Sequence, residues 1–215
     1  MPDFGRPGSD SGGIAAIVLA AGVSRRFGSE KLLHPVTLHG VTLPLAAHSL
    51  LPWLETFGHI TVVIRPGAEI FCSAIETALG KSKPGASKSA QIRWIECVDA
   101  AQGMAASLVC GVRANLAAAG WLIGLADMPA VPVAAISGVR KALLAGAALA
   151  APLRADRRGH PVGFASHYRD ELLLLRGDTG ARRLLERDIS KLVEINIDDA
   201  GIFADIDIPG DLQQL

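Results

Sequence analysis

Leu19-Ala20-Ala21-Gly22-Val23-Ser24-Arg25-Arg26-Phe27-Gly28-Ser29-Glu30-Lys31 brings two glycines, two arginines and a lysine together directly behind the apolar run Ile14-Ala15-Ala16-Ile17-Val18. A short continuous apolar run suits a parallel strand covered on both faces. The glycine-bearing loop then lies beyond the carboxyl end of that strand, where open α/β sheets bind their ligands. Gly22 and Gly28 allow close backbone approach or positive φ, and successive N–H groups there can form an anion-binding concavity. Arg25 and Arg26 add forked donors and Lys31 a point charge. The plainer alternative is a βα turn with solvated basic residues, but the combination favours a phosphate cradle. GxGxxG is absent after Leu19 and GxxxxGK[ST] occurs nowhere, so the dinucleotide fingerprint and the Walker loop are both excluded.

Working outward, Pro44 opens a predicted helix through Leu54, Ile60–Arg65 is a β-branched second strand, and Pro66-Gly67 ends it. A helix over Ala68–Leu79 precedes the polar loop Gly80–Ser89. Gln91–Val98 is the third strand, and Met104, Leu108, Val112 and Leu116 form one stripe of the next helix. Trp121–Leu125 is a fourth strand and Val133–Ala145 a helix; Ala147–Pro152 and Val162–Ala165 are further strands. Glu171–Leu175 and Ala181–Arg187 read as helical, Leu192–Ile197 as extended, and Pro209–Leu215 as a closing helix. Strands alternating with helices imply βαβ units: an α/β fold, with a mostly parallel sheet between helical layers.

The length of 215 residues suits one buried domain, placed at 14–215 behind a turn-forming, disordered lead over 1–13. Lys plus Arg balances Asp plus Glu at 21 each, so no global field draws the chain to nucleic acid or a membrane; an anion site must be local. Cys72, Cys97 and Cys110 are widely spaced in apolar sequence and read as buried thiols rather than a disulfide or zinc framework. The lead has no signal-peptide pattern, and no apolar run approaches the roughly 18 residues of a membrane span. A cytoplasmic protein is expected.

The sheet-edge rule selects a second loop, Ala126-Asp127-Met128-Pro129, after the fourth strand. Asp127 there could supply an oxygen to Mg²⁺, which takes one or two protein carboxylates and completes its shell with water and phosphates. Alternatively it caps the turn before the Val133 helix. Asp205 and Asp207 pose the same choice between metal proximity and helix capping. Gly103 and Ser107 sit where a helix N-terminus could meet a base edge or phosphate, whereas Met104 is expected in the core. His160 reads as a turn residue or a ligand contact. Asp178 or Thr179 would cap the helix carrying Arg182, near Gly180.

The opening loop resembles the LAAGxSxRFGxxK signature of molybdenum-cofactor-type nucleotidyltransferases, with Gly22, Ser24, Arg26, Phe27, Gly28 and Lys31 at the family positions and Arg25 at a variable one. Gly124–Pro129 resembles the family's GxxDMP metal segment, with Ala126 for a frequent glycine. Gln102–Leu108 resembles QGMxxSL, and Arg157–Val162 and Gly177–Arg182 resemble the GHPV and GDxGAR segments of the cytidylyltransferase branch. Asp205–Leu212 resembles DIDTPEDL, with Ile208 and Gly210 for Thr and Glu. The resemblance spans nearly the whole chain from Ile14. It implies a Rossmann-like nucleotidyltransferase joining CTP to molybdopterin or its molybdenum-loaded form with release of pyrophosphate, the Ala20-Ala21-Gly22 version pointing to CTP over GTP. Ala20, Ala21, Gly22, Ser24, Arg26, Gly28, Lys31, Gly103 and Ser107 would hold the nucleotide. Arg26, Lys31 and Asp127 would be catalytic, Asp127 and Asp207 near Mg²⁺, and His160, Asp178, Gly180 and Arg182 in the acceptor pocket. The product would pass to a molybdoenzyme or its insertion chaperone. Alternatives are GTP, a sugar or polyol phosphate acceptor, or a pterin-binding delivery protein without transfer.

Overall fold

The computed structural model describes residues 13–22, 27–28, 30–82 and 91–214. The lead over 1–12, the loop residues Ser24, Arg25 and Arg26, and most of the predicted polar loop lie outside the described residues. Strand β1 (Ile14–Leu19) is flanked by β4 (His59–Ile64) and β6 (Gly120–Leu125), parallel to both. Beyond β4 lies β5 (Gln91–Glu96), also parallel; beyond β6 come β9 (Val162–Ala165), β7 (Leu149–Arg154) and β10 (Leu192–Asn196). Among the described residues, only β9 and the two-residue β8 (Arg157–Arg158), which pairs with β7, run antiparallel in this sheet. The expectation of an α/β fold with a mostly parallel sheet therefore holds. Direction is what the apolar run Val162–Ala165 does not encode.

Alternation along the strands divides the core into two layers. Ala16, Val18 and Ala20 of the first strand segment join Val62 and Ile64 beneath α1 (Leu45–Thr56), α2 (Glu69–Ser82) and α4 (Val133–Leu144). Ile17, Leu19, Val63, Trp121 and Ile123 face the other way, under α3 (Met104–Arg113) and α5 (Arg169–Leu173). The short α6 (Arg182–Arg187) closes that layer through Leu184.

Several elements depart from expectation. Pro35–Leu38 and Val41–Pro44 pair as an antiparallel hairpin, β2–β3, around His39 and Gly40, both at positive φ; Pro44 is then the last residue of β3 and N-cap of α1, not its first helical residue. Helix α2 continues to Ser82, beyond the predicted Leu79. Met104 is 45% exposed and not in the core: it is the first residue of α3 and faces away from the buried side that Ala105 and Leu108 form. Cys72 and Cys97 are buried, whereas Cys110 is only partly so. Among the described residues no helix is long and apolar enough to cross a membrane.

Candidate active site

The end of β1 is pinned on both sides: Ala20 N–H donates to the Val63 carbonyl at 2.8 Å, and Ala126 N–H to that of Leu19 at 3.0 Å. Ala20 and Ala21 are buried and Gly22 is exposed, so the chain leaves the sheet at Gly22. It returns through Phe27, buried and edge-on to the His34 ring at 5.3 Å. Gly28, at φ +78°, takes a conformation that favours glycine. A 3₁₀ turn, Lys31–Leu33, follows, with Leu32 in the core. This anchorage turns Lys31 inward: only 8% of the residue is exposed.

Its ammonium donates to Asp127 Oδ2 at 2.8 Å and lies 3.5 Å from Asp207 Oδ1. Asp127 stands just past β6. Its partner carboxylate arrives on an extended segment fixed by the Ile206 N–H, which donates to the Asp127 carbonyl at 3.0 Å. Ile206 is buried, and the two-residue alternation leaves its neighbours Asp205 and Asp207 on the side away from the core. Asp211 takes the local capping role, its Oδ2 accepting from the N–H groups of Asp207 and Ile208. The capping alternative for Asp127 fails too, since α4 is preceded by Pro132 and has no side-chain cap.

Asp127 Oδ1 is buried without a hydrogen-bond partner. A buried carboxylate oxygen in that condition, beside a second carboxylate, suits a hard divalent cation that also takes phosphate oxygens. Among the described residues no group of three His, Cys, Asp or Glu side chains forms a metal cage. Ala126 fills the core with its methyl, so replacing the frequent glycine leaves the cleft side unaltered.

Beside Asp127 opens a cleft of about 240 Å³ lined by Met128, Arg157, Arg158, His160, Phe203 and Asp205, among others. The Arg157 guanidinium sits over the Phe203 ring at 4.3 Å. The strand reversal at β9 puts His160, which precedes it, at the same sheet edge as Asp127. His160 N–H donates to the Ile202 carbonyl, and a Cβ on Gly159 would come within 2.4 Å of that oxygen, so the 200–203 turn is clasped directly against this loop. Burial outweighs the opposing pull of Asp127 and Asp205 and holds the His160 imidazole below its usual range, hence neutral at pH 7. Nδ1 of the ring is buried without a hydrogen-bond partner.

The remaining predicted residues are arranged differently. Gly103 adopts φ +116°, and a Cβ there would lie 2.3 Å from Asp178 Oδ1. Asp178 is therefore pressed against the start of α3 and caps no helix; α6 follows Ala181 with no side-chain cap. The Gly177 carbonyl takes the Ala105 N–H, so part of the α3 terminus is already satisfied from within the chain. Ser107 is buried, Gly180 abuts the Met104 sulfur, and exposed Arg182 donates to Glu186 at 2.7 Å. Lys31, Asp127 and Asp207 converge, and His160 stands at the neighbouring cleft. Asp205, expected at a metal or a helix cap, lines this cleft instead, and Arg157 and Arg158 join His160 there without having been singled out individually; their signal was position beside the GHPV-like segment.

A mostly parallel sheet flanked by helices, with a lysine and two carboxylates gathered on its carboxyl lip, is nucleotidyltransferase architecture. The chain belongs to the family of MobA-like NTP transferase domains, whose model matches residues 16–193. It is an enzyme of that class. Rv0371c from Mycobacterium tuberculosis H37Rv superposes with a TM-score of 0.70 at 25% identity, over 96% of this chain and 98% of that one. Its manganese complex gives 0.68 at 24%, over 95% and 97%. The molybdopterin-guanine dinucleotide biosynthesis protein A of Archaeoglobus fulgidus gives 0.55 at 20%, over 94% and 96%. The 4-diphosphocytidyl-2C-methyl-D-erythritol synthase of Anaerococcus prevotii gives 0.67 at 15%, with 95% of each chain covered. No curated protein sequence matches the chain.

Proposed function

We propose that the enzyme transfers CMP from CTP to molybdopterin or its molybdenum-loaded form in the cytoplasm, releases pyrophosphate, and supplies a molybdoenzyme or its insertion chaperone. The observation that carries the reading is the meeting of Lys31 with Asp127 and Asp207 at 2.8 and 3.5 Å on the ligand-binding lip. The molybdopterin-linked neighbour supports the acceptor, and the manganese complex of Rv0371c supports a divalent ion. CTP rests on the Ala20-Ala21-Gly22 form of the loop.

An oxygen of the acceptor phosphate attacks the α-phosphorus of CTP; that P–O bond forms as the bond to the pyrophosphate oxygen breaks. The nucleophile is already ionised at neutral pH, so no side chain has to take its proton, and direct in-line displacement needs no covalent enzyme intermediate. Gly22 and Gly28 allow close backbone approach to the triphosphate, and Ser24 and Arg26 are taken as nucleotide contacts from the loop signature. Lys31 neutralises charge that grows on the leaving pyrophosphate. Mg²⁺, held through Asp127 and Asp207 when bound, would polarise the phosphate oxygens. Gly103 and Ser107 would border the base. Neutral His160 would help shape the acceptor side of the cleft, and Arg157 and Arg158 offer charge to the acceptor phosphate. Asp178 and Gly180 would bound this pocket through their contact with Gly103 and Met104, and Arg182 would lie at its outer edge.

The test is pyrophosphate release with CTP, GTP and UTP, each paired with molybdopterin or with sugar and polyol phosphates, with and without Mg²⁺. Magnesium-dependent release is expected to be fastest for CTP with molybdopterin. Faster turnover of GTP, or of a sugar phosphate, would reassign the substrate.

A further inference from the structure

Lys31 occupies the place that a metal on Asp127 and Asp207 would need. The ammonium is 2.8 Å from one carboxylate and 3.5 Å from the other, on a lysine side chain only 10% exposed. Magnesium approaches carboxylate oxygens to about 2.0–2.1 Å. A cation bridging both acids would therefore fall on the ammonium or within repulsive distance of it. Two like charges at such separation in a partly buried cleft oppose each other strongly. The same ammonium relieves the mutual repulsion of Asp127 and Asp207, while Asp127 Oδ1 is buried with no hydrogen bond.

We propose that Lys31 is the resident counter-cation of the nucleotide-free enzyme and keeps the Asp127–Asp207 site closed to divalent metal until a triphosphate draws the lysine away. The inference rests on the reading that metal and phosphate share this cleft. Phosphate oxygens offer Lys31 a new anionic partner at the moment they bring the metal's remaining ligands. Metal and nucleotide then enter together, and the lysine moves from neutralising carboxylates to neutralising phosphate. The flexible four-carbon stem of Lys31 allows this exchange of partners without moving its backbone.

Mn²⁺ binding to the nucleotide-free protein, followed by the EPR signal of free Mn²⁺, tests this directly. The full chain is compared with Lys31→Met, Lys31→Gln and the double variant Lys31→Met/Asp127→Asn, with circular dichroism recorded on each. Wild type is expected to bind weakly, both single variants roughly tenfold more tightly or better, and the double variant to lose the gain. Single variants binding no more tightly than wild type overturn the proposal. A second measurement needs no substitution: wild-type crystals soaked in MnCl₂ without nucleotide should show Lys31 still on Asp127 and no anomalous peak between the two acids. A manganese peak there, with Lys31 still in contact, also overturns it. Neither experiment involves nucleotide transfer, so their failure leaves the substrate assignment standing, and failure of CTP transfer leaves their outcome unchanged.

Discussion

Lys31 and Asp127 are 96 residues apart in sequence, and their side chains meet at 2.8 Å. The contact joins the loop after the first strand to the loop after the sixth, because β1 and β6 are adjacent and parallel and so end at the same edge. Neighbouring strands thus do the work of convergence, and each loop supplies one sign of charge.

Removing either partner should abolish chemistry and spare the fold. Lys31→Ala and Asp127→Ala are each expected to lower kcat by about 10²–10³-fold, the usual cost of deleting one charge-stabilising contact. Circular dichroism should remain that of the folded wild type, with some loss of Tm where one partner of this mostly buried ion pair is removed. Pyrophosphate release measures the first, and undiminished turnover in either variant would remove that residue from the mechanism.

His160→Gln and Asp205→Asn are expected to act on the acceptor alone. Loss of one hydrogen bond in the cleft should raise the acceptor KM about three- to tenfold while the CTP KM stays unchanged. Steady-state kinetics with each substrate varied in turn separates the two. A rise confined to the CTP KM would move the cleft to the nucleotide side.

Gly124 lies against the indole of Trp53: a Cβ there would be 2.1 Å from Cζ2, and Trp53 is itself buried. Gly124→Ala should cost about 1–3 kcal/mol through overpacking, read as a lowered urea midpoint. An unchanged midpoint would mean that α1 can retreat from the sheet freely.

Acid stability should depend on Asp188. Arg187 and then the buried Tyr168 hydroxyl, which donates to it at 2.8 Å, hold this carboxyl well below the usual carboxylate range. Burial, reinforced by Asp188, pushes Tyr168 up to about 12. An unfolded aspartate titrates near about 3.9, so the folded state binds fewer protons below that pH. The contribution is complete above about pH 4 and is lost as the pH falls through the depressed value. Asp188→Asn should therefore lower Tm at pH 7, with the gap to wild type closing in acid. Parallel Tm curves down to pH 2 would contradict this.

The strands around the site were legible because burial on both faces leaves continuous apolar runs, as in Ile14–Leu19 and Trp121–Leu125, and because polar loops punctuate them. Lys31 and Asp127 could be paired in advance, since each followed such a run. The β2–β3 hairpin was missed although Val36-Thr37-Leu38 and Val41-Thr42-Leu43 alternate around His39-Gly40; Pro44 reads equally well as a helix start. Strand direction at β9, the outward course of Arg182 and the packing of Asp178 on Gly103 depend on tertiary contacts that no local pattern specifies. The Lys31 contact with Asp207 belongs to the same category.

The reversed strand β9 has an evolutionary corollary. Because its beginning, and not its end, reaches the lip that carries Lys31 and Asp127, the wall of the cleft beside Asp127 comes from the β7–β8 ribbon, whose tip, Ala155 and Asp156, turns with positive φ at both residues. Lengthening or trimming that ribbon would remodel the wall around Arg157 while leaving the phosphate loop and the acids untouched. One half of the enzyme can thus diversify its clientele while the other half stays fixed.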